Sequence, residues 1–422
     1  MKEVSEKKGY KKTKLGWIPK EWDAATLGGF VVQMKSGLSR KLSNEDIGIP
    51  VIRSNNIKDN KIDFRNLLYW YINDPQGANT SNYFLKDGDI IVNFINSIAQ
   101  IGKCARFNNY LGREIIYTTN LIALRLDEDK LNSTFFLNYT LTHSYRKYIN
   151  AITKPAVNQA SFTTVDYKKL ILPIPPLPEQ QKIAEILSTW DTAITNTQEL
   201  IAQLKSRKKG LMQQLLTGRL RLNGFEGEWK EKKLGDFLIK HNEVSTYTNQ
   251  YPILTSSRKG IFFQADYYNR EVASTDNTGY NVVPRGYFTY RHMSDDLIFR
   301  FNINTLCDKG LVSTLYPVFT VKDGLNKTFL MYSLNYGNDF KRNALRQKQG
   351  GSRTYMYFGK LANMQIFLPS IIEQTHIVEF INTIEEEINT YQIRLESLQN
   401  QKKGLMQQLL TGQKRVLSLI TN

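Results

Sequence analysis

Residues Lys208 to Gly218 read KKGLMQQLLTG, and the same eleven letters return at Lys402 to Gly412, 194 positions later. Identity of that length does not arise by chance within one chain, so an internal repeat organises the molecule. The copies extend upstream at the same offset. Pro175, Glu179, Gln180, Ile183 and Glu185 match Pro369, Glu373, Gln374, Ile377 and Glu379. A heptad series then steps by four and three through each copy. In the first it is Ile183, Leu187, Trp190, Ile194, Thr197, Ile201, Leu204, Lys208, Leu211 and Leu215. In the second it is Ile377, Ile381, Ile384, Ile388, Tyr391, Leu395, Leu398, Lys402, Leu405 and Leu409. This is the seam of a coiled coil. Each series covers 33 residues, which predicts a helix about 50 Å long at ~1.5 Å per residue. Proline and Glu-Gln open each copy, suiting a first helical turn and the positive end of its dipole. Thr-Gly closes each copy, with glycine available for a left-handed residue after the helix. A stripe this narrow is not buried alone, so the two helices are expected to pair with each other.

A similar lead-in precedes each half. Trp22, Leu27 and Gly28 correspond to Trp229, Leu234 and Gly235. The chain therefore reads as two half-molecules in tandem, each a lead-in, a variable body and a long helix. The expected divisions are an N-terminal arm and lead-in over 1–27, a first body over 28–178 and a first helix over 179–218. A second lead-in over 219–234, a second body over 235–369, a second helix over 370–412 and a tail over 413–422 complete them. The lysine-rich start, 1–13, is expected to be a loose arm. Both bodies read as α+β. Asp89 to Phe94 and Leu121 to Leu126 have strand character, while Phe135 to Ile149 and Phe329 to Arg342 read as helices. The second long helix has lost the prolines of Pro175-Pro176-Leu177-Pro178 and is expected to start less sharply.

The net charge of +17 is unevenly placed. Residues 179–218 hold five Lys/Arg against four Asp/Glu, and 373–415 hold five against six, so the helices are neutral and the bodies are basic. Basic heads on neutral struts point to a polyanionic partner, most simply nucleic acid. Cysteine is confined to Cys104 and Cys307, which excludes a disulfide framework and fits a reducing cytoplasm. No apolar leader and no run near the ~20 residues of a membrane span are present. Catalytic signatures are missing too. There is no phosphate-binding loop, dinucleotide fingerprint, zincin or deaminase motif. His143, His241, His292 and His376 are isolated in sequence, and Glu385-Glu386-Glu387 reads as a solvated face. The chain is expected to perform no chemistry and to bind no metal or cofactor.

Arginine reads guanine through two hydrogen bonds, and asparagine or glutamine reads adenine likewise. Loops of the bodies carry these types. In the first body they are Arg53, Ser54, Asn55, Asn56 and Lys58, then Asn96 and Gln100, then Lys154, Asn158 and Gln159. In the second they are Ser256, Ser257, Arg258 and Lys259, then Tyr290 and Arg291, then Arg346, Gln347, Gln349, Ser352 and Arg353. All are expected to contact DNA.

With these parts in view the layout resembles the specificity subunits of type I restriction-modification enzymes. The resemblance rests on the two long helices, Pro-Pro-Leu-Pro-Glu-Gln-Gln at 175–181, the repeated KKGLMQQLLTG, and Gly-Trp-Ile-Pro-Lys-Glu-Trp at 16–22. It implies two α+β target-recognition domains separated by an antiparallel coiled coil, in a pseudo-two-fold tandem repeat. Each domain would read one half of a bipartite, asymmetric site in double-stranded DNA. The helices would set the spacer and dock two methyltransferase (M) subunits, which bind S-adenosylmethionine and methylate adenine. Restriction (R) subunits, using ATP and Mg, would cleave. Two other readings fit the same letters: a non-enzymatic coiled-coil scaffold whose basic heads bind acidic partners, and the recognition part of a methyltransferase-nuclease fusion.

Overall fold

The computed structural model describes residues 8–157, 159–267, 276–346 and 353–416. The chain divides into two compact units, one of residues 1–196 with 395–422, the other of residues 197–394. The first long helix runs Leu177–Leu215 and the second Ile371–Leu410. Each unit therefore holds the start of one helix and the end of the other. Every seam position is buried or half-buried.

The second helix starts as sharply as the first, against expectation. Ser370 takes over from the prolines, its hydroxyl accepting from the Glu373 N–H at 3.2 Å. Both KKGLMQQLLTG segments close on left-handed glycines, Gly218 and Gly412, each at φ +69°. Gly412 is also required by a close approach, since a Cβ there would lie 2.5 Å from Cδ of Pro19.

In the first unit a four-stranded antiparallel sheet runs in the order Cys104–Arg106, Ile90–Asn93, Leu121–Leu126, Val31–Ser36. A smaller sheet places Gly48–Ile52 between Leu68–Tyr71, antiparallel, and Ile116–Tyr117, parallel. The lead-in strand Asp23–Thr26 pairs with Ile171–Ile174, the strand that feeds the long helix. The second unit repeats this plan. Its sheet runs Asn302–Ile303, Phe288–Thr289, Val318–Val321, Leu238–His241. Its lead-in strand Lys230–Lys233 pairs with Gln365–Leu368. Two bodies with few letters in common thus share one strand order, because alternation and burial constrain residue type loosely and topology tightly.

The cores are joint products of body and helices. In the first unit Trp22, Ile90, Ile122, Phe135 and Tyr167 pack with Ile183 and Leu187 of one helix and Leu409 and Leu410 of the other. In the second, Phe288, Phe319 and Phe329 pack with Met212, Leu215 and Leu216, and with Ile377 and Ile381. Within each unit the start of one helix thus lies against the end of the other, an antiparallel pairing.

Three local expectations change. The helix read over Phe135 to Ile149 is two, Ser133–Tyr139 and His143–Ile152, because the Thr142 hydroxyl caps the second by accepting from the Tyr145 N–H at 3.3 Å. The helix read over Phe329 to Arg342 breaks at Gly337 into Lys327–Tyr336 and Asn338–Arg346. Part of the supposed loose arm is a hairpin, Tyr10–Thr13 with Gly16–Pro19. The Tyr10 hydroxyl donates to the Gly412 carbonyl at 3.0 Å, which fastens the hairpin to the end of the second helix.

Candidate nucleic-acid interface

The repeated Glu-Gln pair joins each body to its helices. Gln180 and Gln374 are 1 % exposed. Oε1 of Gln180 accepts from the Asn132 N–H at 2.9 Å, while Nε2 donates to the carbonyls of Lys130 and Pro175 at 3.0 and 2.9 Å. Gln374 does the same with Asn326, Gly324 and Pro369 at 2.8, 3.3 and 3.1 Å. Glu179 and Glu373 are also buried, and a buried carboxylate needs a charged partner. Arg415 supplies it to Glu179 through Nε and Nη2 at 2.7 and 2.9 Å. Arg221 supplies it to Glu373 through the same atoms at 2.6 and 2.8 Å. Each arginine stands three residues after the glycine that closes its copy. The joints differ in one donor. Trp22 Nε1 donates to Glu179 at 2.9 Å, whereas Trp229 Nε1 is buried without a partner.

These joints hold the bodies whose loops carry the expected contact residues. In the first unit the turn Ser54–Asn56 is closed by Asn56, which accepts from the Arg53 N–H at 3.0 Å and donates to the Asp63 carbonyl at 3.0 Å. Asn56 is 4 % exposed, so it shapes the loop from inside and does not face outward as expected. Asn55 and Lys58 are exposed, and Arg53 and Ser54 half-exposed. Lys58 lies 2.9 Å from Asp63, and Arg53 Nη2 donates to the Asn66 carbonyl at 3.3 Å. A three-stranded sheet brings together Ile95–Asn96, Ala160–Ser161 and Lys154–Pro155, so Asn96, Lys154 and Gln159 share one neighbourhood. Gln100, half-buried, stands in the turn that follows. Arg146, which sequence reading missed, holds that turn by donating to the Ile98 and Ile101 carbonyls at 2.7 and 2.6 Å. Asn158 lies outside the described residues.

In the second unit Ser256 is 7 % exposed. Its hydroxyl donates to the Thr289 carbonyl at 3.2 Å and accepts from Asn302 Nδ2 at 2.8 Å. Tyr290 is fully buried, with its hydroxyl donating to the Met356 carbonyl at 2.9 Å. Burial pushes that phenol up from its ordinary value. Both residues were expected at the surface and are buried, Ser256 in the strand Leu254–Ser257 and Tyr290 just after the strand Phe288–Thr289. Arg258, Lys259, Arg291, Arg346 and Arg353 are exposed, and Ser257 is half-buried. Three segments meet here. The short pair Met293–Ser294 with Thr354–Tyr355 brings the stretch after Arg291 to the stretch holding Arg353. Arg258 reaches the same place, 2.8 and 2.6 Å from the carboxylate of Asp296. Beside them His292, Tyr355 and Tyr357 form an aromatic group, the tyrosine rings stacked at 5.7 Å. Burial and Arg291 hold the His292 imidazole below its ordinary value. Tyr-x-Tyr was the available letter signal for this group, though only Tyr355 lies in a strand and Tyr357 precedes the following helix. Gln347, Gln349 and Ser352 lie outside the described residues.

Among the described residues no group of three or more His, Cys, Asp or Glu is placed to hold a metal ion. No helix among them is long and apolar enough to cross a membrane.

Residues 19–206 match the family model for the type I restriction modification DNA specificity domain. The specificity subunit of the type I restriction enzyme MjaX of Methanocaldococcus jannaschii is 28 % identical, covering 96 % of this chain and 97 % of that one. The EcoKI specificity subunit of Escherichia coli is 24 % identical over 91 % of this chain and 88 % of its own. Among solved structures, the HsdS subunit from Thermoanaerobacter tengcongensis aligns with a TM-score of 0.51 at 16 % identity, covering 94 % of this chain and 98 % of that one. A chain from a study of assembly and conformational transition in the type I R-M system reaches 0.58 over 94 % and 99 %. Over nearly its whole length the chain is similar to specificity subunits of type I restriction enzymes.

Proposed function

We propose that this chain is the DNA-reading subunit of a type I restriction-modification complex. Its two bodies, 28–178 and 235–369, each read one half of a bipartite, asymmetric site in double-stranded DNA. The observation that carries this reading is one strand order built twice on the same buried Glu–Arg and Gln joints, with different loops on each body. A constant frame with two dissimilar reading surfaces suits a target whose halves differ. The loop residues that reach solvent, Arg53, Asn55, Lys58, Lys154, Gln159, Arg258, Lys259, Arg291 and Arg353, are the donors such reading needs. The long helices set the separation of the half-sites and dock two M subunits. Adenine is methylated by those subunits with their own S-adenosylmethionine. Cleavage falls to R subunits with ATP and Mg, in the cytoplasm, and this chain makes no bond itself.

The test is modified-base sequencing of a host that expresses this chain with the methyltransferase encoded beside it, against a host expressing the methyltransferase alone. A split adenine-methylated motif that needs this chain is the expected result. A stable complex with no chain-dependent motif, or DNA binding without sequence preference, would sink the reading.

A further inference from the structure

The second unit carries two consecutive carboxylates where its loops meet. Asp295 and Asp296 follow the strand Met293–Ser294, and each takes one of the two arginines at the meeting of the loops. Arg258 gives Nη1 and Nη2 to Asp296 at 2.8 and 2.6 Å, and Arg353 gives Nε to Asp295 at 3.0 Å. Asp296 is itself fixed. Its Oδ1 also accepts from the Ser294 hydroxyl at 2.9 Å and from the Ile298 N–H at 3.2 Å. Leu297 between them is left-handed at φ +65°, a conformation that leucine resists. Strain in a short turn, held by one side chain, marks a placement the fold maintains.

Stability does not account for these pairs. The four side chains are 47–69 % exposed, and exposed ion pairs stabilise little. Nor do acidic groups suit a surface that must approach phosphates, which they repel. What they do supply is orientation. A guanidinium has five N–H donors in a fixed plane. The described contacts use two on Arg258 and one on Arg353, so each fork keeps further donors for another partner.

We propose that Asp295 and Asp296 are positioning residues for base discrimination, holding Arg353 and Arg258 so that their remaining donors meet base edges in the half-site read by the second unit. This rests on the reading above, that the loops of this unit contact DNA. A side chain fixed beforehand loses less freedom on binding, and a wrong base then meets a fork that cannot turn away to a phosphate. With Asp296 held down to about 2, mainly by Arg258, the carboxylate is ionised at every pH at which DNA is bound.

The test uses the full chain assembled with its methyltransferase, with D295N, D296N and the double variant. Three duplexes serve as probes: the methylated motif, the same duplex scrambled in the half-site of the second unit, and one scrambled in the other half-site. Fluorescence anisotropy gives an affinity for each. The expected result is a fall of about tenfold in the preference for the intact second half-site, with equal or tighter binding to scrambled DNA. Discrimination at the other half-site stays unchanged, and D296E restores part of the loss. Wild-type discrimination kept by all three asparagine variants overturns the proposal and leaves the DNA-reading function standing. Equal weakening on all three duplexes with a lowered melting temperature also overturns it, assigning the aspartates to the fold. A wild-type chain that prefers neither half-site removes the DNA reading and this proposal together.

Discussion

Arg415 closes the first unit although it lies beyond the end of the second long helix. Glu179 is fully buried, and the guanidinium beside it is 20 % exposed. Breaking a buried pair leaves an uncompensated charge and costs about 3–5 kcal/mol; the partial exposure of Arg415 favours the lower end. Arg415→Ala is therefore expected to destabilise the first unit by about 3 kcal/mol. Hydrogen exchange across the Asp23–Thr26 and Ile171–Ile174 ladder should then quicken roughly a hundredfold. Protection in Lys230–Lys233 and Gln365–Leu368 should persist, and Arg221→Ala should reverse the pattern. Equal loss in both ladders would show that the joints do not act locally. The Glu-Gln letters were legible as a matched pair, and helix-dipole logic accounts for glutamate in the first turn. Their partners were not legible, because the arginine that meets each glutamate comes from the other copy of the repeat.

The seam of the two helices carries one lysine per copy, and the structure explains both. Lys402 donates to Asp191 at 2.6 Å, and Lys208 pairs with Glu385. These pairs are equivalent under the repeat. Glu385 is exposed, as expected of a solvated face, and from there it reaches Lys208. Such pairs add little stability but favour one register over its neighbours, as isolated polar residues in coiled coils do. A double-mutant cycle with Lys402→Ala and Asp191→Ala is expected to give a coupling below about 1 kcal/mol, measured by denaturant unfolding. A coupling of several kcal/mol would make the pair a stabilising element and not a register marker. Shorter helices were harder to place. Periodicity ran on through Thr142 and Gly337, and only the cap and the glycine broke it.

On the scale of the molecule, the repeat makes the helices a candidate ruler. One DNA turn spans about 34 Å, and each helix was predicted at about 50 Å. Adding or removing one helical turn beside Gly210 and Gly404 is expected to change the spacer of the methylated motif and leave both half-site sequences intact. Sequencing of modified bases checks this, and a motif that keeps its spacer but loses a half-site would refute the ruler. Arg53, Lys154 and Arg258 were legible as surface donors because charged residues stay in water wherever a loop runs. Asn56, Ser256 and Tyr290 were misjudged, since their letters suit a reading loop and a core equally well.

The amino-acid sequence by itself determined the tandem plan, the two long helices with their seam, and the separation of basic bodies from neutral struts. Identity, periodicity and charge are local properties that survive without coordinates. Tertiary structure alone decided which side chains stand inside and which loops meet. Ser256 is fixed by Asn302, 46 residues away. Glu179 is neutralised by Arg415, 236 residues away. Arg258 is aimed by Asp296, 38 residues away. Each pairing joins segments that the sheet and the antiparallel helices bring together, and no spacing along the chain records them.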